Sequence, residues 1–225
     1  MEGIVRRDIE RADRSVVDAF ADFGVATVHE AQGRAGLLAA RLAPIYPGTR
    51  VAGSAVTVAV PAGDNWMIHV AVEQCRDGDI LVVSPEVHSE HGYLGELIAT
   101  ALSSRGVRGF VIDGGVRDVS ELREMGFPVW SALVSPLGTV KEELGDVNVP
   151  IDCAGQRVEP GDVVVADDDG VVVVPRASAP EVLQASLARE QKEAASRARY
   201  AAGELSLDVG RMRDALEEKG LRYVD

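Results

Sequence analysis

From Val51 onward, short Val-rich runs alternate with segments of helical periodicity, and this alternation restricts the fold more than any other feature of the chain. The runs typical of buried strands occupy positions 51–60, 80–84, 109–113 and 128–133. Helical spacing occupies positions 65–75, 93–104 and 118–125. On the helix at 93–104, the face expected to be buried consists of Leu94, Leu97, Ile98, Ala101 and Leu102. Strands that alternate with helices predict an α/β fold.

The last third of the chain adds a strand pair and a helical arm. The runs 163–166 and 170–175 flank a DDDG turn, which indicates a β-pair, and the turn lacks the spaced ligands and closing Glu of a calcium loop. One long helix is expected at 177–202, and Ser206–Lys219 should form a second. The second half of the long helix is polar, so it either frays or lies across a partner subunit. We therefore expect a catalytic domain at 1–176 and an arm at 177–225.

Composition excludes several classes of protein. The 225 residues carry a net charge of −13, which opposes unaided binding to a nucleic-acid backbone, although a local Arg can still hold an anionic substrate. No run approaches the ~20 apolar residues of a membrane-spanning helix, and the first residues lack the apolar core of a signal peptide. Cys75 and Cys153 are too few for a disulfide framework. We expect a cytoplasmic protein that binds neither nucleic acid nor membrane.

The strongest candidate for chemistry is the stretch IDGGVRDVSEL at 112–122. A buried strand ends there, Gly114-Gly115 is expected to turn the chain, and Arg117-Asp118 open a helix, which is where α/β proteins place ligands. The Arg117 guanidinium suits a carboxylate, and the Asp118 carboxylate suits a divalent cation. The alternative is that Asp118 only caps the helix and Arg117 is a surface residue.

Other candidates are weaker. In HGYLGELIAT at 91–100, Gly92 and Gly95 come at or before a helix start, where free N–H groups can hold an anion. The loop His88-Ser89-Glu90-His91 has usable metal-ligand spacing, but two loop imidazoles are more often solvated. His29-Glu30 has no evident partner. The three lysines of the chain lack the desolvated setting of a Schiff-base amine, and no nucleophile elbow for acyl transfer occurs, so a metal route is favoured.

Nearly the whole chain resembles one family in its sequence blocks. The matching blocks are GVATVHEAQGR (24–34), GDNWMIHVAVEQC (63–75), GDILVV (78–83), GYLGEL (92–97), GVRDV (115–119), EMGFPVW (124–130), VNVPI (147–151), PGDVVVADDDGVVVVPR (160–176) and EKGLRYV (218–224). The superfamily tag is a Gly, about twenty residues, then Arg-Asp and an acidic residue, here Gly95, Arg117-Asp118 and Glu121. These blocks resemble the 4-hydroxy-4-methyl-2-oxoglutarate / 4-carboxy-4-hydroxy-2-oxoadipate aldolases, class II pyruvate aldolases of the regulator of ribonuclease E activity superfamily.

The resemblance implies a fold and a set of site residues. The fold would be a swivelling β/β/α domain, assembled as a homotrimer or homohexamer. Backbone amides of Gly95, Glu96, Leu97 and Ile98 would bind the substrate carboxylate, Arg117 would bind substrate, and Asp118 would hold the metal. Glu193 on the arm of a neighbouring subunit would approach the site, with Glu190 as the fallback. The HSEH loop departs from the family, which has no histidine ligands there.

The resemblance also implies the reaction. It would be retro-aldol cleavage to pyruvate plus pyruvate or oxaloacetate, with oxaloacetate decarboxylation as a side activity. Mg²⁺ or Mn²⁺ would stabilise the developing enolate charge as a Lewis acid, Arg117 would support it, and Glu193 or Glu96 would orient a water as general base. The preferred substrate is left open. The competing interpretation is a non-catalytic regulator that binds a ribonuclease, and such regulators typically lack an extended helical arm.

Overall fold

A computed structural model describes residues 3–224 of the chain and is dominated by one mixed sheet. The strands are β1 (Ala43–Pro44), β2 (Val51–Val60), β3 (Asp79–Pro85), β4 (Gly92–Leu94), β5 (Gly109–Val116), β6 (Val129–Val134), β7 (Asp146–Val147), β8 (Ile151–Cys153), β9 (Gln156–Val158), β10 (Val163–Asp167) and β11 (Gly170–Val174). The strand order is β1-β6-β5-β3-β2-β10-β11, with β4 beside β5 and β7 beside β2, while β8 and β9 form a separate hairpin.

The two ends of this sheet are linked by one segment of the chain, so that the sheet forms a nearly closed barrel. Strands β2, β3, β5 and β6 are parallel, whereas β10 runs antiparallel to both β2 and β11. The backbone of Leu38 donates to Val171 in β11, and a few residues later Ala43 pairs with Ser131 in β6. Residues 38–44 therefore bridge β11 and β6, and this near-closure leaves little of either sheet edge exposed.

The Val-rich strands are buried on both faces, which explains why they read as continuous apolar runs. In β3, Ile80 and Val82 belong to the cluster that includes Trp130, whereas Leu81 and Val83 belong to the cluster packed on the neighbouring helices. A third cluster lies where the first helices and the long C-terminal helix cover β10 and β11. Alternate residues of one strand thus serve two cores.

The helices occur between the strands and at the ends of the described chain. They are α1 (Arg14–Ala19), α2 (Val25–Ala31), α3 (Trp66–Gln74), α4 (Glu96–Ser104), α5 (Val119–Glu124), α6 (Ala179–Ala201), α7 (Ser206–Val209) and α8 (Arg213–Glu218), with 3-10 turns at Phe20–Asp22 and Arg176–Ser178. The α/β prediction and the long C-terminal helix are confirmed. Among residues 3–224, no helix combines the length and the apolar character needed to cross a membrane.

Three local predictions are wrong. The helix expected from position 93 begins at Glu96, because Gly92–Leu94 pair with β5 as β4; Leu97 is 81% exposed, and the buried face is Ile98, Ala99 and Leu102. Gly114-Gly115 do not turn the chain but lie inside β5, where Gly115 pairs with Leu133 of β6; a Cβ on Gly115 would come within 2.6 Å of the His91 carbonyl oxygen, which accounts for the glycine. The helix expected at 206–219 is split into α7 and α8 at Gly210-Arg211, where Arg211 is left-handed.

The first part of α6 is held by the chain's own core, and the rest is not. Helix α6 packs against α1 and α2, with Val182 and Ser186 buried. From Glu190 to Val224 every residue is exposed or only half-buried. This distribution agrees with the polar pattern seen in the sequence, and it leaves the outer half of the arm without a hydrophobic reason to stay on its own domain.

The buried carboxylate of Asp64 fixes the start of α3 to a distant segment. It accepts backbone hydrogen bonds from Trp66 at 2.8 Å, Glu142 at 2.6 Å and Glu143 at 2.9 Å. Burial by itself would raise the pKa of Asp64, but these three donors bring that pKa below its ordinary value. The ionised form of Asp64 is therefore part of what holds this region together.

Candidate active site

The candidate site lies where three elements end or begin together. Strand β5 ends at Val116, β6 ends beside it at Val134, and β4 leads through Gly95 into α4. The backbone N–H of Arg117 donates to the Leu94 carbonyl at 2.9 Å, so the residue after β5 is tied to the last residue of β4. The carboxyl ends of parallel strands thus meet a helix N-terminus, as the sequence predicted.

Asp118 is the residue that connects these elements. Its backbone is left-handed, with φ 60° and ψ 42°, a conformation that Asp tolerates better than most residues. This backbone directs its side chain away from α5, and its Oδ2 accepts the Glu96 N–H of α4 at 3.0 Å. Asp118 does occupy the N-cap position of α5, as the alternative expected, but its side chain makes no cap bond there.

Gly95 is favoured by the close approach of the Asp118 and Arg117 side chains. A Cβ at this position would overlap Asp118 Oδ2 and lie 3.0 Å from Arg117 Nε. Gly95 has φ −136° and ψ −176°, an extended conformation open to any residue, so the requirement comes from space and not from backbone strain. The glycine singled out in the sequence therefore lets Arg117 and Asp118 approach the α4 backbone.

Arg117 and Asp118 face a cleft of about 450 Å³ between the start of α5 and the end of β6. The cleft is lined by residues 117–121 and 134–136, and the side chains of Arg117 and Asp118 are 46% and 40% exposed. Arg117 Nε lies 3.8 Å from Asp118 Oδ2, too far for a tight ion pair. The guanidinium therefore remains available to an incoming anion.

The donor set fits a divalent cation that keeps most of its water. Among residues 3–224, no group of three or more His, Cys, Asp and Glu side chains is placed to hold a metal. Within the same range Asp118 Oδ1 accepts no hydrogen bond, and the Glu121 side chain opens on the same cleft. One hard carboxylate oxygen at a solvated cleft suits Mg²⁺, which dehydrates reluctantly, or Mn²⁺.

Of the two candidate glutamates, neither points at the cleft within one chain. Glu96 Oε1 accepts the Thr100 hydroxyl at 2.9 Å, which directs this carboxylate along α4. Glu193 pairs with Arg189 at 2.8 Å on α6, the helix that packs on α1 and α2. The structure thus brings together Gly95, Glu96, Arg117 and Asp118, and it places Glu193 on a different part of the domain.

Among the remaining sequence candidates, His91 and Glu30 have structural partners. His91 Nδ1 lies 2.9 Å from the Ser89 hydroxyl, and Glu30 pairs with Arg34 at 3.0 Å. Cys75 and Cys153 are free and buried, and burial raises the pKa of both thiols to about 12, which excludes thiolate chemistry at neutral pH. In the DDDG turn, Asp168 accepts the Gly48 N–H at 2.8 Å, so this carboxylate holds a loop.

Sequence reasoning missed the opposite wall of the cleft, Val134, Ser135 and Pro136. Part of the signal was present, because a strand was predicted to end at 133, but its parallel pairing with β5, which brings the two carboxyl ends together, was not predicted. The hydroxyl of Thr100 was also missed, since nothing in the sequence shows where the Glu96 carboxylate will point.

Comparison with known proteins identifies the family. Residues 14–173 match the family model described as RraA-like, Aldolase/RraA. A Halalkalibacterium halodurans protein named provisionally as a 4-hydroxy-4-methyl-2-oxoglutarate aldolase is 32% identical over 181 residues, 80% of this chain and 84% of that protein.

Solved structures agree with this match. Streptomyces coelicolor RraAS2, described as an unusual member of the RNase ES inhibitor RraA family, has a TM-score of 0.76 and 32% identity, covering 84% of this chain and 99% of that one. The RNA-processing inhibitor RraA from Thermus thermophilus has a TM-score of 0.62 and 27% identity, covering 68% and 92%. The swivelling β/β/α fold implied by the resemblance is therefore confirmed, and the chain belongs to the RraA-like family.

Proposed function

We propose that this chain is a divalent-metal-dependent pyruvate aldolase that cleaves 4-hydroxy-4-methyl-2-oxoglutarate, 4-carboxy-4-hydroxy-2-oxoadipate or both. The observation that carries the proposal is that Arg117 and Asp118 share one cleft while Asp118 Oδ2 also bonds the Glu96 N–H at the start of α4. The aldolase names of relatives such as the Halalkalibacterium protein support a carbon–carbon lyase. The products would be pyruvate plus pyruvate from the first substrate, and pyruvate plus oxaloacetate from the second.

Binding of the 2-oxo acid end would use the α4 backbone and Arg117. Within residues 3–224, the N–H groups of Leu97 and Ile98 have no acceptor, and such first-turn groups attract a carboxylate. The Arg117 guanidinium lies beside Gly95, the residue before α4, and can make two parallel hydrogen bonds to planar oxygens. We assign the C1 carboxylate to Gly95–Ile98, and the contact that strengthens as the C3–C4 bond breaks to Arg117.

Asp118 would hold the cation. When bound, Mg²⁺ or Mn²⁺ supplies Lewis-acid stabilisation of the negative charge that develops on the 2-oxo oxygen. Asp118 would hold the cation next to Arg117 through Oδ1, which accepts no hydrogen bond from residues 3–224.

Proton transfer from the C4 hydroxyl would need a carboxylate that orients water. Glu96 is engaged by Thr100, which supports assigning this role to Glu193 of a neighbouring copy in a homotrimer or homohexamer, with Glu190 one turn earlier as the alternative. The exposed outer half of α6 is consistent with an arm that reaches another subunit.

A mixing experiment tests the shared site. Glu193→Gln protein and Asp118→Ala protein should each be weakly active, and mixed oligomers should recover activity, because some interfaces then carry one intact site. Mass spectrometry of isotopically labelled subunits would verify exchange. Exchange without recovered activity would place Glu193 in its own chain's structure instead.

The main experiment measures pyruvate release from both substrates with a coupled dehydrogenase. We expect cleavage that is lost in excess chelator and restored by Mg²⁺ or Mn²⁺, together with slower decarboxylation of oxaloacetate, which passes through the same enolate. Arg117→Ala is the control for release by contaminating enzymes. Full activity in excess chelator, or no release from either substrate with metal present, would refute the proposal.

The second candidate is a ribonuclease regulator, favoured by the names of the Streptomyces and Thermus structures. Such a role predicts inhibition of an RNase E-type enzyme at stoichiometric concentrations, unchanged by Asp118→Asn. The net charge of −13 makes direct competition for the RNA backbone unfavourable, so inhibition would have to act through the enzyme.

A further inference from the structure

The start of α4 is capped by a carboxylate from another helix. Gly95 has no side chain with which to cap α4, and Asp118 Oδ2 supplies the acceptor at 3.0 Å from the Glu96 N–H. The same oxygen would overlap any Cβ on Gly95, so it sits directly against the α4 backbone. One negative group thus already stands where the helix attracts anions.

An incoming carboxylate would meet this group. The free N–H groups of Leu97 and Ile98 adjoin the Glu96 N–H that Asp118 uses, and Arg117 Nε is only 3.8 Å from the same Asp118 oxygen. Two carboxylates held on adjoining N–H groups of one helix start repel each other unless a cation neutralises one of them. Asp118 is also the carboxylate that a divalent cation at this cleft would take.

We propose that Asp118 is an internal occupant of the carboxylate site and makes carboxylate binding at α4 depend on a divalent cation. A cation that binds Asp118 through Oδ1 neutralises this competing charge, and by linkage the bound carboxylate raises the affinity for the cation by the same factor. Asp118 therefore determines specificity, because it rejects free carboxylates that arrive without the metal. The inference rests on the proposed function only in that it concerns the same site.

Propionate separates this mechanism from simple chelation. It carries the carboxylate of a 2-oxo acid but lacks the 2-oxo oxygen, so it cannot form a chelate ring with the cation. We expect calorimetry to show that saturating Mg²⁺ tightens propionate binding to the wild-type protein at least about tenfold over binding in chelator. Pyruvate, measured in parallel, gains from both effects and should show a larger factor.

Variants of Asp118 provide the second arm of the test. In chelator, Asp118→Asn should bind propionate at least about tenfold more tightly than wild type, and Mg²⁺ should add nothing further. Asn tolerates the left-handed backbone, and Asp118→Gly removes the side chain altogether at no backbone cost. Glu121→Gln is the matched control, because it removes a charge from the same cleft but not from α4.

The outcomes are separable from those of the proposed function. Equal propionate affinity in chelator for wild type and both Asp118 variants would overturn the inference, as would wild-type affinity that Mg²⁺ does not change or no binding in any state. If the wild type still releases pyruvate in those cases, the aldolase assignment stands and only the role of Asp118 as occupant falls. An effect of Glu121→Gln as large as that of Asp118→Asn would reduce the result to the net charge of the cleft.

Discussion

Gly95→Ala should abolish most activity while leaving the fold intact. The new methyl group would overlap Asp118 Oδ2 and press on Arg117 Nε, so the Asp118 carboxylate must retreat by about 1 Å to reach an ordinary contact distance. A misplacement of about 1 Å in a catalytic group costs roughly 10²-fold in rate. We therefore expect kcat/KM for aldol cleavage to fall by about two orders of magnitude.

Stability should change little, because the backbone of Gly95 is extended and Ala adopts it freely. Replacing Gly by Ala at an N-cap costs about 1 kcal/mol, or roughly 2–4 °C in melting temperature for a chain of this size. Gly24→Ala is the matched control: Gly24 is the N-cap of α2, and its Cβ would meet only ordinary contacts, the nearest at 3.4 Å. Both variants should melt alike, and only Gly95→Ala should lose activity. Wild-type kcat/KM in folded Gly95→Ala would refute the claim that this arrangement is the working site.

Three further predictions follow from single contacts. Arg117→Lys should lower kcat at least ~10²-fold in steady-state assays although the charge is kept, since Lys cannot make two parallel hydrogen bonds; near-normal kcat would assign Arg117 to structure. Asp64→Asn should lower the free energy of unfolding, measured with urea at pH 7, by about 1–3 kcal/mol. Because folding lowers the pKa of Asp64, this loss should shrink as the pH falls below ~4 and the wild-type carboxylate takes up a proton. A loss that does not change with pH would contradict this. Cys75 and Cys153 should resist iodoacetamide at pH 8 until the protein unfolds, and mass spectrometry showing alkylation of the native protein would contradict their burial.

The sequence was most informative where local pattern and burial agree. The Val-rich runs predicted β2, β3, β5 and β6 closely, because residues buried on both faces leave an uninterrupted apolar signal. The small strands β1, β4 and β7–β9 were missed, since two or three residues are too few to establish a period. The turn expected at Gly114-Gly115 failed for a related reason. Gly115 is a glycine because neighbouring segments pack too close for a Cβ, and that packing is a tertiary property that the local sequence does not show.

In the candidate site too, the local pattern was predictable and the tertiary contacts were not. Arg117, Asp118 and Gly95 were found in the sequence because they follow a strand or precede a helix. The direction in which each side chain points was not predictable, since it depends on contacts between residues far apart in the chain. The Asp118 side chain bonds the start of α4 although the residue stands at the N-cap of α5, and the Glu96 carboxylate is engaged by Thr100.

The charge balance of the cleft accounts for its dependence on a cation in the proposed mechanism. The residues that line it carry one positive charge, on Arg117, and two negative charges, on Asp118 and Glu121, in a chain whose net charge is −13. A substrate with two or three carboxylates would enter a site of the same sign, which is unfavourable. A divalent cation on Asp118 reverses the local balance to one positive charge. In the proposed mechanism the cation therefore does two things at the same carboxylate: it admits the substrate, and it stabilises the charge that the reaction creates.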